Sequence, residues 1–402
     1  MAKSLSSLWL KSVRRMGRAQ QAQGRRLLQS LVPKAGRAPA VRRAQAVKPA
    51  KTAKTAKSTK VAKPKATAAT PARPLTGLPG NWQKSWFSVP AAGQVASARR
   101  MLYWLYLPSG ASTAPRPLVV MLHGCQQTAT DFALSTRMNA LAERQGFAVL
   151  YPQQSATADA HRCWHWYKRS TQQGLGDVQQ IAQMVAQVQA KHGLDASRTY
   201  VAGLSAGAGL ANILALRYPG MVAAVGLHSA PVFGTTDSAL SAYRAMQHGS
   251  GTAHREAAHA FAQALPAFPG MPAIVIHGTH DKVVRRINTA ELTEQFAIIN
   301  ASAITRDQPV VRSYPARTTG RHPRHAYANT TYYAGRKPQL VSCEIEHLGH
   351  AWSGGDGSVN FSAPEGPDAT LMMWTFFTRH RRLGAQEPAL SQDTKQKVPS
   401  AQ

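Results

Sequence analysis

Residues 199–215 constrain the fold more than any other stretch, because they place a serine between a strand and a helix. The β-favouring residues 199–201 precede Gly203-Leu204-Ser205-Ala206-Gly207, and residues 208–216 are rich in helix formers. A Gly-x-Ser-x-Gly sequence in this setting is typical of a sharp turn that lifts the serine hydroxyl out of a sheet. The turn also points the next N–H at the place where an oxyanion forms in acyl transfer. We therefore predict a nucleophilic Ser205; a glycine-rich turn with a bystander serine is the alternative.

The positive charge of the chain is concentrated near its N-terminus. The 402 residues carry a formal net charge of +30, yet no Asp or Glu precedes Asp131. Residues 1–74 hold 19 of the 48 Lys and Arg, which leaves 29 basic against 18 acidic residues in the rest. The basic excess therefore belongs largely to the N-terminal segment. The hydrophobic fraction of 44% is enough for a folded core elsewhere.

Two basic segments precede the predicted domain, and a tail follows it. Residues 1–32 repeat apolar residues near helical spacing among Lys and Arg, which predicts an amphipathic helix for an anionic or apolar surface. A solvated arm is the alternative. Residues 33–79 are low in complexity and predict a disordered Lys/Ala/Pro-rich linker, with non-specific nucleic-acid contact or a passive spacer as its roles. Residues 383–402 are expected to form a flexible tail.

The N-terminal sequence predicts a cytoplasmic location, and the cysteine content is low. No apolar run reaches the roughly 18 residues of a membrane span, and the N-terminus shows no convincing signal peptide. We therefore expect a cytoplasmic protein. The three cysteines, Cys125, Cys163 and Cys343, form no dense disulfide framework and allow one pair plus one free thiol.

Residues 80–382 alternate between strand and helix patterns. This alternation predicts an α/β domain with a mostly parallel central sheet flanked by helices. Residues 153–176 read as a long polar loop, 233–270 as a partly helical cap, and 301–330 as a polar, basic stretch. Strands are predicted at 100–107, 117–122, 147–152, 199–201, 221–227 and 340–346, with a strand ending in a loop over 271–281, and helices at 131–145, 177–192, 290–300 and 371–382.

An activated serine needs a general base and a carboxylate that orients the base. In α/β-hydrolases these follow the nucleophile in the order acid, then histidine. Asp281 comes just after a predicted strand, and His350 lies in the glycine-rich loop after the last one. We predict them as acid and base. Asp237 is the alternative acid, and His347 is the main alternative base, with His277 and His280 as nearby competitors.

Two loops supply the remaining candidate residues. Gly124 allows a tight turn after the strand at 117–122, so the Cys125 N–H is the predicted oxyanion donor beside that of Ala206. Aromatic residues in loops near the predicted site would offer an apolar platform for substrate, with core packing as the alternative. These are Trp164, Trp166 and Trp352.

Five motifs in this order resemble the catalytic domain of the polyhydroxybutyrate (PHB) depolymerase family of esterases, which includes feruloyl and acetylxylan esterases. The resemblance covers residues 85–382. It implies an α/β-hydrolase fold, cleavage of carboxylic esters by a Ser205–Asp281–His350 triad, and no metal or organic cofactor. The motifs are His123-Gly-Cys-Gln-Gln127, Cys163-Trp-His-Trp166, Gly203-Leu-Ser-Ala-Gly207, His277-Gly-Thr-His-Asp281 and Gly349-His-Ala-Trp-Ser-Gly-Gly355.

The resemblance also frames the expected partners. Secreted polymer depolymerases of this kind carry a signal peptide and a C-terminal substrate-binding domain, whereas here a basic N-terminal segment is found. We therefore expect an intracellular esterase for a polyester or small ester, attached to storage granules through residues 1–75. Feruloyl or acetylxylan esterase activity is the alternative. A granule-, membrane- or nucleic-acid-binding protein with an idle hydrolase domain is the alternative of another class.

The resemblance carries one cysteine prediction. Cys125 and Cys163 both fall inside family-like motifs, in loops expected on the active-site side of the sheet. We predict that they lie close enough to pair under oxidising conditions and that Cys343 stays free.

Overall fold

The computed structural model describes residues 77–88, 100–320 and 323–382. The predictions for residues 1–32, for most of 33–79 and for 383–402 lie outside the described residues. Within the described part, no helix is long and apolar enough to cross a membrane.

A ten-stranded sheet forms the centre of the domain. The strands are β1 (Asn81–Ser88), β2 (Arg100–Leu107), β3 (Leu118–Leu122), β4 (Ala148–Gln153), β5 (Thr199–Leu204), β6 (Ala224–His228), β7 (Ala273–Gly278), β8 (Val310–Tyr314), β9 (Tyr327–Ala334) and β10 (Lys337–Ile345). Their order in the sheet is β1-β2-β4-β3-β5-β6-β7-β10-β9-β8. The six strands from β4 to β10 run parallel, and the outer strands pair antiparallel. The predicted parallel centre is therefore confirmed.

Helices cover both faces of the sheet. They are α1 (Ala129–Thr136), α2 (Met138–Gln145), α3 (Arg169–Gln172), α4 (Asp177–His192), α5 (Ala206–Arg217), α6 (Ala239–His248), α7 (Ala253–Ala264), α8 (Ile287–Ile299) and α9 (Ala369–Phe377). A 3₁₀ turn spans Ala196–Arg198, and two short strands, β11 (Trp352–Ser353) and β12 (Ser362–Ala363), pair separately. The residues of α4 to α8 pack in one core, and those of α1, α2 and α9 in the other.

Strand β3 shows why the central sequence is continuously apolar. Its alternate residues Leu118, Val120 and Leu122 belong to one core, while Val119 and Met121 belong to the other. A strand covered on both faces has no solvent side, so apolar residues fill every position. The same arrangement aligns the carboxyl ends of the parallel strands at one edge, where the loops with the candidate residues meet.

Three expected elements differ from the observed ones. The helix predicted at 131–145 is two helices, because Arg137 takes a left-handed conformation with φ 53° and its guanidinium hydrogen-bonds Gly354 O. The stretch 301–330, expected only to be polar and basic, contributes β8 and the start of β9. The last helix ends at Phe377 rather than residue 382.

Candidate active site

Ser205 occupies a strained turn between β5 and α5. Its backbone has φ 57° and ψ −121°, and such values are rare for a residue with a side chain. A Cβ at Gly203 would lie 2.7 Å from Ala208 N, and one at Gly207 would overlap the Leu122 carbonyl. Both glycines are therefore required by the close approach of strand and helix, as the motif predicts.

Asp281 and His350 come together at the ends of neighbouring strands. Asp281 follows β7, His350 follows β10, and the two strands pair in parallel. His350 Nδ1 lies 2.7 Å from Asp281 Oδ2. The other carboxylate oxygen accepts hydrogen bonds from the N–H groups of Val283 and Val284 at 2.9 and 3.0 Å. The carboxylate is thus fixed in place by both its oxygens.

The electrostatics keep this carboxylate ionised. Burial by itself would raise the pKa of Asp281, but the charge and hydrogen bond of His350, together with His277 and the Val283 N–H, lower it to about 2. An ionised Asp281 accepts the Nδ1 proton of His350. The lone pair of His350 Nε2 is then available to act as a base.

Ser205 and His350 line one small cavity of about 20 Å³. Both side chains are nearly buried, with 9% and 8% of their surface exposed. Within the described structure Ser205 Oγ makes no hydrogen bond to His350, and such bonds often tighten only when substrate binds. The other lining residues are Gly124, Cys125, Gln127, Leu204, Val283 and Phe361.

The loop after β3 leaves one N–H free to face this cavity. Gly124 N donates to Gln127 Oε1 at 2.8 Å, and Gln126 N donates to His161 O at 2.6 Å. No acceptor within the described residues takes the Cys125 N–H. The Ala206 N–H is also free, because the first residues of a helix have no intrahelical acceptor. These are the two donors that the sequence predicts for an oxyanion.

Buried histidine contacts hold this loop in position. His123 is fully buried, its Nε2 accepts the Gln154 N–H at 3.1 Å, and burial lowers its pKa to about 4.

Cys125 is disulfide-bonded to Cys163, with the two Cα atoms 4.3 Å apart, and Cys343 is free and buried. The predicted pairing is therefore confirmed.

None of the competing residues takes the place of Asp281 or His350. The His347 side chain is exposed and faces His280, with ring centroids 5.0 Å apart. Asp237 accepts the Ser241 hydroxyl at 3.0 Å, beside the start of α6. His277 Nε2 donates to Val284 O at 2.9 Å and lies 3.8 Å from Asp281 Oδ2. Among these alternatives, the structure pairs Asp281 with His350.

The prediction of a tryptophan platform needs correction. Trp164, Trp166 and Trp352 are 0%, 4% and 0% exposed, so none offers an open face to a substrate. Trp164 Nε1 donates to His123 O, and Trp352 Nε1 donates to Thr370 Oγ1, both at 3.0 Å. Burying indole rings with their N–H groups paired is a packing role, which was the alternative.

Sequence reasoning missed three residues of this region. Val283 and Phe361 form apolar walls of the cavity. His228, at the end of β6, accepts the Ser205 N–H through its carbonyl oxygen at 3.0 Å. One signal could have found His228: β6 neighbours the Ser205 strand, and polar residues at adjacent parallel strand ends meet. In the described ranges, no group of three or more His, Cys, Asp or Glu is arranged to hold a metal ion.

Comparison with known families agrees with this architecture. The family model described as Esterase PHB depolymerase matches residues 101–308, which is half of the chain and includes Ser205 and Asp281. The chain belongs to this family. The solved acetyl xylan esterase from Aspergillus awamori has a TM-score of 0.53 and 24% identity over 66% of this chain and 94% of that one. This second comparison shows that the two share a fold.

Two relatives illustrate the range of this PHB depolymerase family. Poly(3-hydroxyalkanoate) depolymerase C from Paucimonas lemoignei is 32% identical over 248 residues, which are 61% of this chain and 57% of that protein. The probable acetylxylan esterase A from Aspergillus fumigatus is 35% identical over 130 residues, 32% of this chain and 34% of that protein. The chain thus spans about half or less of the length of these relatives.

Proposed function

We propose that the chain is a serine esterase in which Ser205, Asp281 and His350 form the catalytic triad. The observation that carries the proposal is the 2.7 Å bond between His350 and Asp281, because His350 lines the same cavity as Ser205. The strained turn under Ser205 supports the same function, because strain of this kind clusters at active sites.

The proposed mechanism uses groups that the fold already orients. His350 Nε2 takes the Ser205 hydroxyl proton, and Ser205 Oγ attacks the ester carbonyl. The N–H groups of Cys125 and Ala206 stabilise the oxyanion, with each donor lowering the barrier by about 3 kcal/mol. His350 then gives its proton to the leaving alcohol. Water repeats the sequence on the acyl-enzyme and releases the acid.

The proposed substrate is a polyhydroxyalkanoate such as PHB. Family membership and the depolymerase relative support this class. The cavity beside Ser205 is small, about 20 Å³, and partly open, so we propose that the flanking parts of the ester lie along the surface. That arrangement suits an ester bond inside a polymer chain. Acetylated xylan or a feruloyl ester is the second candidate, favoured by the relatives named as acetylxylan and feruloyl esterases.

A substrate panel tests both levels of the proposal. Wild type and Ser205→Ala are compared on p-nitrophenyl butyrate, amorphous PHB, acetylated xylan and methyl ferulate. We expect turnover of the short ester and of PHB by the wild type alone. Equal background rates in both proteins would favour a binding protein with an idle hydrolase domain. Preference for xylan or ferulate would move the substrate to the second candidate.

We also propose that residues 1–75 attach the enzyme to an anionic or apolar surface such as a storage granule. Support comes from the composition of this segment, because residues 1–74 contain 19 Lys and Arg and no Asp or Glu. The Cys125–Cys163 disulfide counts against a reducing compartment, where such bonds are rare.

The anchoring proposal has a direct test. Full-length protein and a variant lacking residues 1–75 are sedimented with anionic vesicles, PHB granules and duplex DNA at two salt concentrations. We expect the deletion to abolish granule binding and to leave p-nitrophenyl butyrate turnover within about twofold, because the triad lies outside the segment. Equal partitioning of both forms on every surface would remove the anchoring role. Binding to DNA alone, lost at physiological salt, would indicate non-specific nucleic-acid contact.

A further inference from the structure

His228 lies between the two loops that carry the proposed nucleophile and base. It ends β6, its side chain is fully buried, and its ring stacks on Trp352 with centroids 5.2 Å apart. Its carbonyl oxygen accepts the Ser205 N–H at 3.0 Å. Its ring nitrogen Nε2 accepts the Ser353 N–H at 3.2 Å. Ser353 stands three residues after His350, in the same loop.

We propose that His228 is a positioning residue, which holds the His350 loop in register with the turn that carries Ser205. The N–H groups of Ser205 and Ser353, one on each loop, both donate to His228. The distance between the two loops is therefore set through His228. The proposal rests on the proposed esterase function, since positioning is measured by its effect on Ser205 chemistry.

The hydrogen bonds fix the tautomer of His228. A backbone N–H can only donate, so Nε2 must carry a lone pair toward Ser353. The proton of the neutral ring is therefore on Nδ1, where the Ser229 hydroxyl accepts it at 3.2 Å. A second proton on Nε2 would face the Ser353 N–H and break this bond. Burial, which lowers the pKa of His228 to about 3, also favours the neutral ring.

A comparison of three histidines supports this assignment. His228, His277 and His350 all lie near the single carboxylate of Asp281. His277 donates from Nε2 to Val284 O, and its Nδ1 is buried without a partner, so a second proton there would be unpaired. Only His350 has an acceptor for Nδ1–H and an open Nε2. The partners of His228 and His277 thus reserve the proton-accepting role for His350.

Two polar substitutions separate positioning from simple burial. In His228→Gln, the side-chain oxygen reaches the place of Nε2 and can accept the Ser353 N–H. In His228→Asn, the amide reaches only the place of Nδ1, so the bond to Ser353 is lost. We expect His228→Asn to lower kcat on p-nitrophenyl butyrate about 10- to 100-fold with KM within about twofold, because small displacements in an active site cost this much. His228→Gln should stay within about threefold of wild type.

Amide hydrogen exchange at Ser353 gives a readout that does not depend on turnover. We expect faster exchange in His228→Asn and near-wild-type exchange in His228→Gln. His380→Asn is the matched control, since His380 is also buried but lies far from Ser205. Its carbonyl oxygen accepts the hydroxyl of Tyr200, at the amino end of β5, whereas Ser205 follows the carboxyl end. This variant should lower the melting temperature and leave kcat unchanged.

Several outcomes overturn the proposal. Equal kcat in His228→Asn and wild type, or equal losses in the Asn and Gln variants, would contradict a role through the Ser353 bond. Unchanged exchange at Ser353 in both variants would do the same, even if either protein had altered stability. If wild type and Ser205→Ala showed the same background turnover, the esterase function would fail, while the exchange data would still decide whether His228 links the loops.

Discussion

The amino and carboxyl ends of the parallel strands form two edges of the sheet, and these two edges differ in cavity size and in chemistry. The amino edge has the larger cavity, about 240 Å³, lined by Arg116, Arg198 and Tyr200 among others. Arg198 Nε already donates to Asp195 at 2.5 Å, and Arg116 donates to Pro108 O at 2.8 Å. The carboxyl edge has a cavity of only about 20 Å³. Cavity size alone would therefore favour the amino edge, whereas Ser205, Asp281 and His350 lie at the carboxyl edge.

Backbone strain and buried polarity are concentrated at the carboxyl edge. Gln126, Ser205, Ser229 and His347 follow the ends of four parallel strands, and all four have positive φ. Burying a polar group costs stability unless the group is hydrogen-bonded, and strained residues persist only when their surroundings hold them in place. In this fold, the well-packed and strained carboxyl edge therefore marks the proposed site better than open volume does.

Removal of the proposed triad should have the largest effect. We expect Ser205→Ala, Asp281→Asn and His350→Ala each to lower turnover of p-nitrophenyl butyrate by about 10⁴-fold while the protein stays folded, because the three groups act as a unit. Arg116→Met, in the amino-edge cavity, should stay within about twofold. Near-wild-type activity in His350→Ala, with a loss in His347→Ala, would move the base to His347. A large loss in Arg116→Met would reverse the comparison of the edges.

Glycine substitutions should separate crowding at one edge from open space at the other. An alanine Cβ at Gly207 would overlap Leu122 O, whereas Gly146, beside the amino-edge cavity, has φ 73° and nothing within 4 Å of the added atom. We expect Gly207→Ala to lower the free energy of unfolding by more than about 3 kcal/mol, since backbone atoms must move. Gly146→Ala should cost about 1–2 kcal/mol from its left-handed backbone alone. Urea denaturation measures both, and similar losses would mean that steric crowding does not set the turn at Ser205.

Removal of the disulfide should lower the stability of the fold and have a smaller effect on turnover. Cys125 and Cys163 are 38 residues apart, and a closed loop of that size stabilises a fold by about 3–4 kcal/mol. The proposed oxyanion donor at Cys125 is a backbone N–H, so Cys125→Ala/Cys163→Ala should retain at least about a tenth of the wild-type turnover. Dithiothreitol should lower the melting temperature of the wild type and leave that of the double variant unchanged. Insensitivity of both proteins to the reductant would show that the bond is absent in solution.

Sequence patterns predicted the parts of the molecule that depend on local rules. Periodicity and close packing predicted three features. These are the fully apolar strands, the glycines on either side of Ser205, and the strand ends after which Asp281 and His350 lie. They could be read without a structure because the carboxyl ends of parallel strands meet at one edge. The cysteine pairing followed from motifs assigned to that same edge.

The remaining features depend on tertiary contacts that local sequence does not encode. An aromatic residue in a polar loop has no pattern that distinguishes burial from exposure, so a substrate platform and core packing both stayed open for Trp164. Arg137 breaks a continuous helical pattern because its side chain reaches Gly354, more than 200 positions away. Strand β8 has exposed and half-buried residues only, so it lacks the apolar alternation that marks a strand. His228 was missed because its partner Ser353 lies 125 positions away in the chain.

The last effect concerns pH, and it compares one buried histidine at each edge. Burial lowers the pKa of His228 and of His380 to about 3, from an ordinary value near 6.5. Below pH 6.5 the unfolded chain binds protons at these rings that the folded chain does not. The free energy of unfolding should therefore fall as pH decreases from 6.5 towards 4, by about 1.4 kcal/mol per pH unit for each histidine. Urea unfolding at several pH values should show a slope shallower by this amount in both His228→Gln and His380→Gln. Turnover at pH 7 should be unchanged in His380→Gln, because its ring lies at the amino edge. An unchanged slope in His380→Gln would mean that its ring is protonated in the folded protein, and the two edges would then differ in buried charge as well as in strain.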